Sequence, residues 1–420
     1  MSIIESERAR RWLAQFEADD QGNAADLLDA MALVSADDLT SGLKSRILAQ
    51  PRAESTPIAL YAERELQRRN GRPHKLFREE AKKVKHAVGA GPQPVRPIRA
   101  YDPDVGSEGI VAQLISEVCR QYPEDFVSHA GPDEIRKRKV RRFIVVSDFV
   151  GSGNRAWTYL EGAWRVRSVR SWHSLKLLDF GVIAYAATEE GSKRVKRHPC
   201  SPSLDIVRPC PTISTEFTFE RAKAIRQLCI RYDPVDHNPV ESLGFNGAGA
   251  LIAFAHGIPN NAPRMLYKQR KVGSRRPWTP LFPARITADL RRSFADEPDN
   301  AEILARLERL NQHRLSVSPL LKRANSETAR VLLVLAALMR GPRFDEAIAR
   351  KTGLTIPEAS RLIRHLRSCR WIDDERIPTD DGHAQLRHAR DWRERIVQPP
   401  HESAALYYPK HLRAPKRSSS

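Results

Sequence analysis

The stretch RRFIVVSDFVGSGNRAWTYLEG, residues 141–162, passes from an unbroken apolar run through one acid and a glycine turn into helically spaced residues. Phe143–Val146 carry no polar alternation, as expected of a strand covered on both faces. RAWTYLEGAWRV (155–166) then has helical spacing. LLDFGVIAYAAT (177–188) is a second buried strand, followed by the basic helical EEGSKRVKR; SLDIVRP (203–209) and GALIAFAHG (249–257) are a third and a fourth. Strands alternating with helices imply βαβ units and a mostly parallel sheet. Ligands of such sheets lie beyond the carboxyl ends of the strands, where Asp148 and the glycine turn fall.

The chain has 420 residues, 41% of them hydrophobic and 29% charged, room for two or three globular domains. Its formal net charge of +19 favours polyanionic partners, nucleic acid above all. No run approaches the ~20 apolar residues that span a bilayer, so no membrane partner is expected. The first twenty residues carry charges where a signal peptide would need an apolar core, which points to the cytoplasm. Cys119, Cys200, Cys210, Cys229 and Cys369 include no C-x-x-C pair and read as reduced thiols, without zinc.

In SDFVGSGNRA the glycines Gly151 and Gly153 let the backbone bring several N–H groups onto one anion, and the following helix N-terminus adds its partial positive charge. Ser152 can donate a hydroxyl to a phosphate, and Arg155 can reach one. Asp148 suits a ribose hydroxyl or a hydrated Mg²⁺, the one cofactor and metal site expected. The same turn also suits a strand-turn-helix corner whose glycines serve packing alone. Asn260 and Asn261, between prolines, can read a base edge or a ribose, or simply form a turn. His256 is a candidate acid or base, and Glu108 a first-turn helix acid.

These residues carry a resemblance. VVSDFVGSGNRA resembles the phosphoribosyl-diphosphate (PRPP) loop of type I phosphoribosyltransferases. It is more similar still to a phosphoribosyltransferase-like (PRTase-like) family of bacterial conflict systems, found beside retron-type reverse transcriptases, with a D-F-[VI]-G-S-G core. PIALYAERE (57–65), GSEGIVAQLI (106–115), HGIPNNAPRMLYK (256–268) and WTPLFPARI (278–286) also match it, over roughly residues 10–286. The resemblance implies a Rossmann-like PRTase core in which Ser147, Asp148, Gly151, Ser152, Gly153, Asn154, Arg155, His256, Asn260 and Asn261 face PRPP or a nucleotide. Asp148 would be the catalytic and Mg²⁺-binding residue of a possible phosphoribosyltransferase. Ser147 stands where ordinary members carry an acid, which puts turnover in question more than binding. Thus an antiviral, retron-type effector that transfers or hydrolyses a phosphoribosyl group stands beside a non-catalytic, nucleotide-sensing DNA-binding regulator.

Residues 326–394 read as a winged helix: a helix to 339, FDEAIARKTG stopped by Gly353, and PEASRLIRHLRSCRW capped by Thr355 and Glu358. WIDDERIPTDDG would be the wing and resembles that of MarR-type regulators. Arg361, Arg364, His365 and Arg367 would meet DNA or an RNA–DNA hybrid. The expected organisation is α/β with five parts: a helical subdomain (1–50), the PRTase-like core (51–284), a helical connector (285–325), the winged helix (326–394) and a basic tail (395–420). Within these, residues 6–34 read as a helical hairpin with Leu33 on its second stripe, Ser35 caps a third helix, and PIALYAERELQRRNG (57–71) reads as helical.

Overall fold

The computed structural model describes residues 4, 6–51, 56–81, 85–93, 107–235, 238–270, 277–282, 300–324, 326–339, 341 and 343–392. The tail expected at 395–420 and part of the helical connector (285–325) lie outside them. The chain opens with α1 (Glu7–Leu13), α2 (Ala18–Asp29), β1 (Ala32–Val34), α3 (Ala36–Leu48) and β2 (Ile58–Ala62). Ser35 caps α3, its side chain accepting from the Asp38 amide at 3.0 Å. Two small antiparallel hairpins follow, β3 (Arg68–Arg69) with β4 (Arg72–Pro73) and β5 (Arg78–Ala81) with β6 (Lys85–Val88). Next come α4 (Ser107–Gln121), β7 (Phe126–Ser128), α5 (Pro132–Arg138), β8 (Arg142–Val150), α6 (Asn154–Trp164) and α7 (Arg167–Ser174). The core closes with β9 (Asp179–Ala187), α8 (Glu189–Lys196), β10 (Ser203–Pro209), α9 (Ile213–Glu216), α10 (Phe219–Arg231), α11 (Pro239–Ser242) and β11 (Ile252–Phe254).

The central sheet has the order β10-β9-β8-β2-β7, and every pairing in it is parallel. Chain order runs outward from β2 to β7 on one side, then returns to β8 on the other. Strand order therefore reverses between β2 and β8, and their carboxyl ends flank an open crevice. One face of the sheet is covered by α5–α8 and the hairpins, the other by α3, α4 and the β1–β11 pair. Coverage on both faces is why all five residues of β2 are buried.

Three expectations change here. Residues 57–71 form strand β2 and a hairpin, because Ile58–Ala62 pair with both β7 and β8. Helix α2 ends at Asp29, before Met31 and Leu33 of the expected stripe, and Ala32–Val34 become a strand paired in parallel with Ile252–Phe254. The fourth expected strand, β11, thereby sits outside the central sheet. Trp12 and Phe16 of the first segment pack on α10 and on Trp278, Leu281 and Phe282 in one apolar cluster.

Beyond β11 come α12 (Asn300–Arg309), α13 (His313–Ser316), α14 (Pro319–Arg323), α15 (Ser326–Leu338), α16 (Asp345–Thr352), α17 (Ile356–Ser368) and α18 (Asp380–Asp391). They share one core. Gly353 ends α16 with φ 72°, the left-handed conformation that glycine adopts without strain. Thr355 and Glu358 form a reciprocal capping box at the start of α17, as the sequence indicates. The wing is short: Ile372 bridges Pro378, and the Asp373 amide donates to Ile377 O at 2.9 Å. Helices α16 and α17 pack against the edge strand β10, and Arg208 donates to Gly353 O at 3.0 Å. An otherwise open strand edge is covered in this way.

Arg306 of α12 pairs with Glu216 of α9 at 2.7 Å, both side chains less than 10% exposed, with Arg309 at 3.2 Å. Removing one partner of a buried pair leaves an uncompensated charge. Arg306→Ala is therefore expected to cost about 3 kcal/mol in denaturant unfolding, Arg309 compensating in part. A loss under about 0.5 kcal/mol would show that this pair does not tie the C-terminal helices to the core.

Candidate functional site

A cleft of about 670 Å³ opens at the carboxyl ends of β2 and β8. Its walls are Glu63, Arg64 and Arg68 after β2, Glu108 of α4, the Asp148–Arg155 turn, and the segment from His256 to Asn261. Of the ten residues expected to face a ligand, nine line this cleft: Asp148, Gly151, Ser152, Gly153, Asn154, Arg155, His256, Asn260 and Asn261. Ser147 lies beneath it, 2% exposed.

The turn's shape follows from its glycines and from what backs them. Gly153 caps α6 with φ 72°. A side chain on Gly151 would meet Asn261 Oδ1 at 2.0 Å, so the loop and the Pro-Asn-Asn segment touch across the cleft. Behind the loop, Thr188 donates its hydroxyl to Gly151 O at 2.6 Å and caps α8 by accepting from the Gly191 amide. Ser152 Oγ accepts from the Asn154 amide at 3.3 Å.

Asp148 Oδ1 accepts from the Phe149 amide at 2.8 Å, and Oδ2 lies 3.1 Å from His256 Nε2. The His256 ring stacks on Phe254 at 5.1 Å, which fixes its orientation. Asn260 O accepts from the Phe245 amide at 2.8 Å; Asn261 donates its side-chain amide to Phe245 O at 3.3 Å. Cationic donors converge from three elements. Arg155 is half-exposed, 3.8 Å from Glu108. Arg68 bonds Thr158, and the buried Nε of Arg64 has no hydrogen-bond partner among the described residues.

Glu63, which motif reading did not single out, is 4% exposed and accepts from Ser147 Oγ at 2.5 Å. Burial pushes its carboxyl up from 4.5 to about 7; Arg155 and the Ser147 hydrogen bond oppose that rise, and Asp148 and Glu108 add to it. The register puts it there: Ala62 pairs with Val146, and the Glu63 amide donates to Val146 O at 2.9 Å. Glu108 stands in the first turn of α4 and accepts from the Glu65 amide at 3.3 Å.

Among the described residues no group of three or more His, Cys, Asp or Glu side chains is arranged to hold a metal. No helix is long and apolar enough to cross a membrane.

On α17, Arg361, Arg364, His365 and Arg367 are all solvent-exposed. Arg361 is held by both oxygens of Glu327, at 2.5 and 3.0 Å, and Arg367 by Asp374 O at 2.9 Å. His365 Nε2 lies 3.7 Å from Cys369 Sγ. The wing presents Asp373, Asp374 and Glu375 in sequence, and residues 326–392 carry twelve Lys and Arg against ten Asp and Glu, a net of +2. Most of the chain's +19 lies elsewhere.

The family model PRTase-CE matches residues 9–284, and one described as wHTH-PRTase associated matches residues 332–414. No curated protein matches the chain.

The Glu63 carboxyl gives the site a stability signature. Between pH 4.5 and about 7 the unfolded state has released this proton and the folded state keeps it, so its contribution falls as pH rises. Relative to Glu63→Gln, wild type should lose about 3 kcal/mol of unfolding free energy across that window. His129 and His198, lowered to about 4 by burial, act with the opposite sign and cancel in the comparison. Parallel stability–pH curves for the two proteins would refute the raised carboxyl.

Proposed function

The chain belongs to the PRTase-CE family, and from that premise we propose that the cleft binds PRPP or a nucleotide, with the Gly151–Arg155 turn on the phosphates. The observation that carries the reading is convergence at the β2–β8 switch point: a glycine turn opening α6, one carboxylate backed by a histidine, and three arginines. A polyanion with a sugar attached uses all of these groups. Asp148 would hold Mg²⁺ together with the ligand's phosphates and water, and the ion would supply charge neutralisation.

Transfer would break the anomeric C–O bond to pyrophosphate and form a bond from that carbon to an acceptor or to water, the acceptor's proton leaving to solvent or base. The chain's own part is to hold the leaving group. Loop N–H groups and Arg155 face the phosphates, while Asp148, oriented by His256, faces the sugar. A nucleophilic side chain is not needed.

The winged helix is the proposed nucleic-acid module, with Arg364 and His365 as its reading residues. The family resemblance supports a role as an effector in a retron-type antiviral defence system, next to a reverse transcriptase whose RNA–DNA product it would meet. The second reading, a nucleotide-sensing regulator without turnover, is favoured by the serine at 147, which leaves the loop a single acid.

Calorimetric titration with PRPP and Mg²⁺ tests the core of this reading. Wild type should bind, and Asp148→Asn should lose ~10-fold or more in affinity, as for a charged hydrogen bond removed. Absence of binding by PRPP and by common nucleotides would leave the turn a structural corner. Product formation in the titrated sample would decide between effector enzyme and sensor.

A further inference from the structure

Ser147 Oγ lies 2.5 Å from Glu63 Oε2 and 3.5 Å from Asp148 Oδ1, so these two carboxylate oxygens are no more than 6.0 Å apart. They sit at the ends of adjacent strands, on the floor of one cleft. A buried acid with no cationic partner in contact among the described residues is costly to keep, and replacing it by a neutral group would stabilise the fold. Its retention against a pocket wall calls for a ligand that uses it.

We propose that Glu63 is the cleft's second sugar-binding carboxylate: it and Asp148 accept the hydrogens of a ligand's vicinal ribose hydroxyls, so that the site selects a ribosyl phosphate over bare pyrophosphate. The inference rests on the sugar-phosphate reading above. Vicinal hydroxyls offer two donors a few ångströms apart, and ionised carboxylates are acceptors only. Ser147 is the positioning residue, since its hydroxyl donates to Glu63 and holds it beside Asp148.

Ligand binding then requires the ionised form, so affinity for the sugar rises with pH. Among the described residues, the groups that face Glu63 are Asp148 from β8, Arg155 and Tyr159 from α6, and Glu108 from α4. Arg64 follows it in the chain, and His129, after β7, accepts from the Ala62 amide next to it. Arg155 and Ser147 favour ionisation; burial, Asp148 and Glu108 oppose it.

The test is calorimetric titration of wild type, Glu63→Gln and Ser147→Ala with PRPP–Mg²⁺ and, separately, pyrophosphate–Mg²⁺, between about pH 6 and pH 8. Glu63→Gln, nearly isosteric, should lose ~10-fold or more in PRPP affinity while its pyrophosphate affinity holds. Wild-type preference for PRPP over pyrophosphate should climb with pH, and this climb should vanish in Glu63→Gln. Ser147→Ala keeps the carboxyl but removes its donor, so the climb should move to higher pH. Equal losses for both ligands in Glu63→Gln would assign Glu63 to the phosphates or the cation and overturn the inference. So would unchanged PRPP binding in that variant, which would leave the sugar-phosphate reading standing. If wild type binds neither ligand, both fall.

Discussion

Everything at the candidate site depends on β2 and β8 lying side by side in parallel register. Ala62 opposite Val146 places Glu63 against Ser147 and leaves Asp148 one step further out. Because β7 lies on the far side of β2, the strand order reverses at this pair of ends, the place where a parallel sheet opens a crevice. Its chemistry comes from the turn after β8, held from behind by Thr188 at the start of α8.

Much of this could be read in the sequence, for reasons that differ by element. Strands β8 and β9 are nine residues each, covered on both faces, and their apolar runs are long enough to stand out. The glycine turn and the Pro-Asn-Asn segment were legible because their spacing is local. Strand β2 is only five residues long and leads straight into charged residues, so a fifteen-residue window sees helical spacing. The β1–β11 pair joins segments more than two hundred residues apart, with three residues from each; β11 is legible as an apolar run, but nothing local marks its pairing with β1. Glu63 was hidden for the same reason: it meets Ser147 across 84 residues of chain.

The C-terminal unit shows a division of labour that charge alone would misplace. A net charge of +19 suggests a strongly basic winged helix, yet that unit carries +2 and an acidic wing. Glu327 and Asp374 hold Arg361 and Arg367, two of the four α17 residues proposed to meet nucleic acid. Meanwhile α16 and α17 cover the edge of β10. The winged helix thus has a structural task, closing the sheet, whatever else it contacts. A ligand that moved α17 would also disturb the strand edge, so the two domains are physically coupled.

The serine at 147 takes its meaning from this geometry. Viewed along the chain it is a lost acid, and the loop looks weakened. Viewed across the sheet, an acid there would replace a hydroxyl that lies 2.5 Å from Glu63 Oε2 and is 2% exposed, so two like charges would meet with little water between them. Position 147 and position 63 therefore cannot both carry a charged acid in this register. A serine that donates to Glu63 resolves the conflict, moving the second carboxylate one strand over and keeping it beside Asp148. On this argument, restoring an acid at 147 would add repulsion to the floor of the cleft, and the loop motif has to be read together with the strand beside it.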